Sequence, residues 1–224
     1  MKQLTDNIWL LRYPLTILGA HWDRIVTVIR LGGGEVLVHS TGPFSVEEVA
    51  SIRALGPVKW VVECASMHDG FTEQGAKAFP EATLFVPEPM REKLAVPAES
   101  LRNPPAAWAP ELEVLLEEGT VGFEEHAFFH RPSRTLIVGD FVFNFGPETP
   151  FWTRVVATLA VGKEKNPGMS RAVRALTRDK AAFRRSAEAI LAWDFDRVIP
   201  GHREVIETGG KAAVEAALRR AGVI

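Results

Sequence analysis

The 224-residue chain carries a single cysteine, Cys64. No disulfide can form within it, and nothing in its cysteine usage indicates an oxidising compartment. The expected location is therefore cytoplasmic. A secretory leader is not expected either, because the apolar stretch Ile8–Tyr13 is interrupted by Arg12, is followed by Pro14, and has no basic leader or small-residue cleavage site. No apolar run approaches the roughly 20 residues that cross a bilayer, so a membrane is not an expected partner. Lys and Arg number 26 against 28 Asp and Glu, a formal net charge of −2. Without a basic excess, nucleic acid is not an expected partner. The densest cationic group, Arg171 to Arg185, alternates with apolar positions as a solvated helix face does. Internal repeats and low-complexity segments are also absent.

What remains is the composition of an ordinary globular protein, 46% hydrophobic and 24% charged. The length suits one domain spanning residues 1–224. Ile25 to Leu31 and Glu35 to His39, joined through Gly32-Gly33-Gly34, read as a hairpin. Ser45 followed by Glu48 has the spacing of a capping box. Val46, Val49, Ile52 and Leu55 then recur at helical spacing until Gly56 and Pro57. Val58 to Glu63 predicts a buried strand that empties into the polar stretch Ser66 to Gly70. A helix near Thr72 to Phe79, a strand Thr83 to Val86 and a short helix from Pro87-Glu88-Pro89 follow.

From Glu111 the pattern turns to three strands, Glu113 to Leu116, Glu125 to Phe129 and Thr135 to Phe143. Helical spacing runs from Phe151 to Val161 and from Lys180 to Trp193, with a glycine- and proline-containing connection over Gly162 to Ser170. Arg197 to Ile199 is one more strand, and Lys211 to Ala221 a closing helix. This order is compatible with two sheets packed face to face and covered by helices.

Six histidines are present, His21, His39, His68, His126, His130 and His202. Three polar clusters stand at predicted strand ends: His68-Asp69, Gly139-Asp140 and Gly201-His202. Open α/β sheets place their sites at such ends, and imidazole with carboxylate is the donor set of zinc and iron hydrolytic centres. The same residues can also be local hydrogen-bonding groups in turns. His126 and His130 share a strand parity and read as partly buried, hydrogen-bonded histidines; His21 and His39 read as structural. Glu124 and Glu125 could serve as acid or base near a site, but consecutive acids at a strand start read as solvent-facing. Cys64 reads as a small buried hydrophobe, and Trp22, Trp108, Trp152 and Trp193 as packing residues.

Taken in order, Val36 to Gly42, the His68-Asp69 cluster, Leu136 to Asp140 and Ile199 to His202 resemble the landmarks of the metallo-β-lactamase superfamily. More closely, Arg24 to Leu31, Val36 to Pro43, Phe128 to Leu136 and Asp194 to Ile199 resemble a domain-of-unknown-function branch of it. The resemblance implies an α/β fold, the four-layer αββα sandwich. It also implies Asp140 as bridging carboxylate and His202 as a ligand of the second metal position, joined by Asp69 and His68. The superfamily signature H-x-H-x-D-H is degenerate here: aligned on Asp69, its histidines fall on Ala65, Met67 and Gly70. One zinc or iron ion is therefore expected in place of two. The function implied is a metal-dependent hydrolase acting with metal-activated water on a small ester, thioester or lactone. A non-catalytic binding module with a decayed metal site is the alternative, and a redox role ranks last.

Overall fold

A computed structural model describes residues 1–161 and 167–224. The connection expected over Gly162 to Ser170 falls partly outside the described residues. The chain forms two compact units, one of residues 1–13 and 25–111, the other of 14–24 and 112–224.

Unit 1 holds a seven-stranded sheet. Its strands begin with β1 (Lys2–Thr5) and β2 (Ile8–Tyr13); β3 (Thr16–Ile17) and β4 (Ala20–His21) form a hairpin of unit 2. The sheet continues with β5 (Arg24–Arg30), β6 (Val36–His39), β7 (Val58–Val62), β8 (Thr83–Val86) and β9 (Glu99–Ser100), in the order β1-β2-β5-β6-β7-β8-β9. The pairs β1–β2 and β5–β6 are antiparallel, whereas β6 through β9 run parallel. The parallel crossovers carry helices α1 (Val46–Arg53), α2 (Thr72–Ala78) and α3 (Glu88–Arg91). α1 begins where the sequence predicts: Ser45 accepts from the Glu48 backbone N–H, and Glu48 accepts from the Ser45 backbone N–H. Ile52, Phe79 and Met90 from these crossovers pack on Val26, Val28, Val36, Val38, Val61 and Leu84 of the sheet. Burying such side chains contributes about 1.5–3 kcal/mol each.

Unit 2 holds a four-stranded sheet of β10 (Leu112–Leu116), β11 (His126–His130), β12 (Thr135–Ile137) and β15 (Arg197–Ile199), in the order β10-β11-β12-β15. β13 (Val142–Phe143) and β14 (Gly168–Met169) make a separate pair, and the helices are α4 (Phe151–Val161), α5 (Arg171–Leu176), α6 (Lys180–Ala192) and α7 (Gly210–Ala221). Two expectations need correction. The strand predicted from Thr135 to Phe143 is broken at 138–141, because the backbone N–H groups of Gly139, Asp140 and Phe141 bind the Glu125 carboxylate instead of a strand neighbour. The cationic run Arg171 to Arg185 is exposed as expected, but Asp179 divides it by capping α6 through the Ala182 N–H.

Candidate metal centre and its surroundings

The register of two parallel strands brings Asp140 and His202 together. β12 and β15 pair with Thr135 opposite Arg197, Leu136 opposite Val198 and Ile137 opposite Ile199. Gly201 N–H then donates to Gly139 C=O across the strand ends at 3.0 Å. Asp140 and His202 each stand three residues beyond their paired isoleucine, so equal advance along neighbouring strands leaves them side by side. Asp140 Oδ1 and His202 Nε2 are 3.5 Å apart, with the histidine buried and the aspartate side chain 16% exposed.

The tautomer of His202 follows from its other nitrogen. Nδ1 lies 2.6 Å from the Asp23 carbonyl oxygen, and a carbonyl only accepts, so Nδ1 carries the hydrogen. In the neutral imidazole Nε2 is then a lone pair facing a carboxylate oxygen, an arrangement that favours a positive charge between them. Two donor atoms about 2.1 Å from one tetrahedral ion stand roughly 3.4 Å apart, close to the observed separation. An imidazole steered by a backbone carbonyl is also how metal-binding histidines are commonly oriented. Asp23 does a second job, because its carboxylate pairs with Arg203 Nη1 at 2.9 Å. Both Asp23 and Arg203 hold positive φ, 54° and 67°, a conformation that costs non-glycine residues about 1–3 kcal/mol and is often found at functional sites. Phe143 stacks on the His202 ring at 5.8 Å and Trp22 meets it edge-on at 6.2 Å, which limits its rotation.

Asp140 is set from behind by Glu125. That carboxylate is buried and accepts from three consecutive backbone N–H groups, Gly139 at 2.6 Å, Asp140 at 2.8 Å and Phe141 at 3.2 Å. The sequence reading of Glu124 and Glu125 as solvent-facing is thus overturned, since both are buried. Glu125 supplies acceptors to a turn whose N–H groups would otherwise be buried and unsatisfied. Glu117 is a third buried acid in this unit, and its oxygens have no hydrogen-bond partner among the described residues. Burial first, then the charges of Glu125 and Asp140, push its pKa well above the usual carboxylate range.

In unit 1, β7 ends at Val62, and a turn closed by His68 N–H to Ala65 C=O folds the chain back. Glu63, Cys64 and His68 there offer a carboxylate oxygen, a sulfur and a ring nitrogen within 4.8 Å of one another, all buried. His68 Nδ1 lies 3.6 Å from Glu63 Oε1. Asp69 belongs to neither group: it is exposed, opens a short 3₁₀ turn (Asp69–Phe71), and lines a groove with Glu73 and Lys77. His126 and His130 are buried on β11, His130 Nδ1 lying 2.7 Å from Ser133 Oγ. His39 is buried and His21 exposed.

The model of a family described as "Domain of unknown function (DUF4336)" matches residues 5–172, well over half of the sequence. The chain belongs to the DUF4336 family. A sequence search among curated proteins finds no match. Among solved structures, this DUF4336 domain is similar to a metallo-β-lactamase from Pontibacter korlensis, with a TM-score of 0.65 at 12% identity over 97% of both chains. It is also similar to the metallo-β-lactamase FIM-1 from Pseudomonas aeruginosa in a mono-zinc form (TM-score 0.65, 12% identity, 100% of this chain and 96% of that one). A third is a metallo-β-lactamase from Erythrobacter litoralis (TM-score 0.64, 14% identity, 100% of this chain and 92% of that one). The fold of the DUF4336 domain is therefore α/β of the metallo-β-lactamase type, as the sequence landmarks imply.

Of the expected ligands, Asp140 and His202 lie together in unit 2, His202 beyond the residues that the DUF4336 model matches, and His68 lies in unit 1 beside Glu63 and Cys64. Sequence reasoning missed Asp23, Glu63 and Glu117, and misjudged the burial of Glu125. Glu63 carries one usable signal, an acid closing an otherwise apolar run. Asp23 carries none, because its partner His202 is 179 residues away.

Proposed function

We propose that this domain is a metal-dependent, hydrolase-like protein that uses Asp140 and His202 as metal ligands and acts on a small ester, thioester or lactone. The observation that carries this reading is His202 Nε2 facing Asp140 Oδ1 at 3.5 Å, with Nδ1 held beside the Asp23 carbonyl. The oxygen and nitrogen donors suit zinc or iron, and the likeness to a metallo-β-lactamase solved in a mono-zinc form agrees with one ion. A bound divalent ion would supply Lewis acidity and lower the pKa of a water toward roughly 7. The protein's own part is orientation: Asp23 fixes the imidazole, Glu125 fixes the backbone of Asp140, and Phe143 and Trp22 hold the ring in place. Asp69, expected from sequence order as a further ligand, is tested in the same way by Asp69→Ala.

In protein purified without chelator, metal analysis is expected to show close to one ion per chain at the Asp140–His202 site. Asp140→Ala and His202→Ala are each expected to lower the metal content by close to one ion per chain, because each removes a donor from this site. Hydrolysis of small esters, thioesters and lactones should fall in parallel. An ion-free protein that takes up no zinc or iron on titration would instead support a binding module with a decayed site, the reading that the residues Ala65, Met67 and Gly70 favour.

A further inference from the structure

Glu63 follows β7 and extends its pairing, its N–H donating to the Phe85 carbonyl at 2.9 Å. Its carboxylate is fully buried. Thr41 Oγ1 donates to Oε2 at 2.8 Å, and Ser40 Oγ lies 3.5 Å from Oε1. Ser40 itself holds a positive φ of 67°, which a β-carbon disfavours. Three segments therefore meet at this carboxylate: the end of β6, the end of β7, and the turn that returns His68. A carboxylate out of water is held by hydrogen bonds, by a positive charge or by a metal, and the His68 imidazole stands 3.6 Å from Glu63. Beside both lies the Cys64 thiol, also fully buried.

We propose that Glu63, Cys64 and His68 form a thiolate-containing metal site of unit 1, taking a divalent ion of borderline softness such as zinc or cobalt. One sulfur, one imidazole and one carboxylate are all established zinc donors, and the thiolate excludes the hard cations magnesium and calcium. Binding replaces the thiol proton by the metal and releases that proton to solvent. The three donors come from a stretch of six residues, so closing them on an ion needs only side-chain rotation about a backbone already fixed by the Glu63 and His68 main-chain hydrogen bonds. This inference stands apart from the function proposed above, which rests on Asp140 and His202. His68 is common to both and is not used to test either.

The experiment is cobalt titration of the metal-free, full-length protein, followed by near-ultraviolet and visible absorption. A thiolate-to-cobalt charge-transfer band is expected, and since Cys64 is the chain's one cysteine, the wild-type spectrum alone assigns its source. Cys64→Ser should lose the band, and the Asp140→Ala/His202→Ala double variant should keep it. Cobalt d–d bands without a thiolate band in the wild type overturn the proposal while leaving the Asp140–His202 reading intact. A thiolate band with cobalt uptake unaltered in the double variant does the reverse.

Discussion

Glu117 behaves unlike the surface acid that its type suggests. Burial, then the neighbouring charges of Glu125 and Asp140, push its pKa well above the usual carboxylate range. Because its folded-state pKa lies above the unfolded value near 4.5, the native state binds the extra proton. The stability it allows is complete below the unfolded pKa and is lost as pH rises through the folded one. Glu117→Gln keeps the shape and removes the ionisation. It is expected to raise the thermal midpoint by a few degrees at about pH 8 and to leave it nearly unchanged near pH 4, checked by calorimetry at both values. An equal shift at both would show that the carboxyl is not a pH-dependent burden. Nothing in the sequence marks this residue, which stands next to Glu118, exposed in the same strand-end segment. Local pattern does not distinguish the two acids; the fold does, by turning one inward.

The elements were legible wherever the signal is short-range. The Ser45 capping box, the hairpin of β5 and β6, the β7-α2-β8 unit and the closing helix all follow from caps, turns and periodicity, because their determinants lie within a few residues of one another. The break after β12 was not legible, since the apolar run continues through Phe141 to Phe143 while the cause of the break, Glu125, sits on the neighbouring strand. Gly75 shows the same contest between local and tertiary preference. In the middle of α2 its replacement by Ala should stabilise the helix by about 1 kcal/mol on propensity alone. A β-carbon there would stand 2.6 Å from Thr41 Cβ and 2.7 Å from its Cγ2, displacing the residue whose hydroxyl binds Glu63. Gly75→Ala is therefore expected to lower the thermal midpoint by several degrees, as overpacking typically costs about 1–3 kcal/mol. A stabilised variant would mean that Thr41 moves freely and that the Glu63 carboxylate is loosely held.

For the whole molecule, an ion that binds only the native state must raise stability, by about 2.7 kcal/mol at a hundredfold excess over Kd. Zinc added to metal-free protein is expected to raise the thermal midpoint in a concentration-dependent way, and a chelator to reverse it. A midpoint indifferent to both would count against every metal site argued above. The sequence by itself determined the α/β order of elements, the family landmarks and the positions of Asp140 and His202 at strand ends, because these rest on periodicity and on residues close in the chain. Only the tertiary structure decided that β12 and β15 pair in the register that sets those two residues side by side. It also supplied Asp23 from 179 residues away to orient the imidazole, and it turned Glu63, Glu117 and Glu125 into the interior. The partner of a buried polar group is fixed by strand pairing and packing between distant segments, and no local pattern in the chain encodes it.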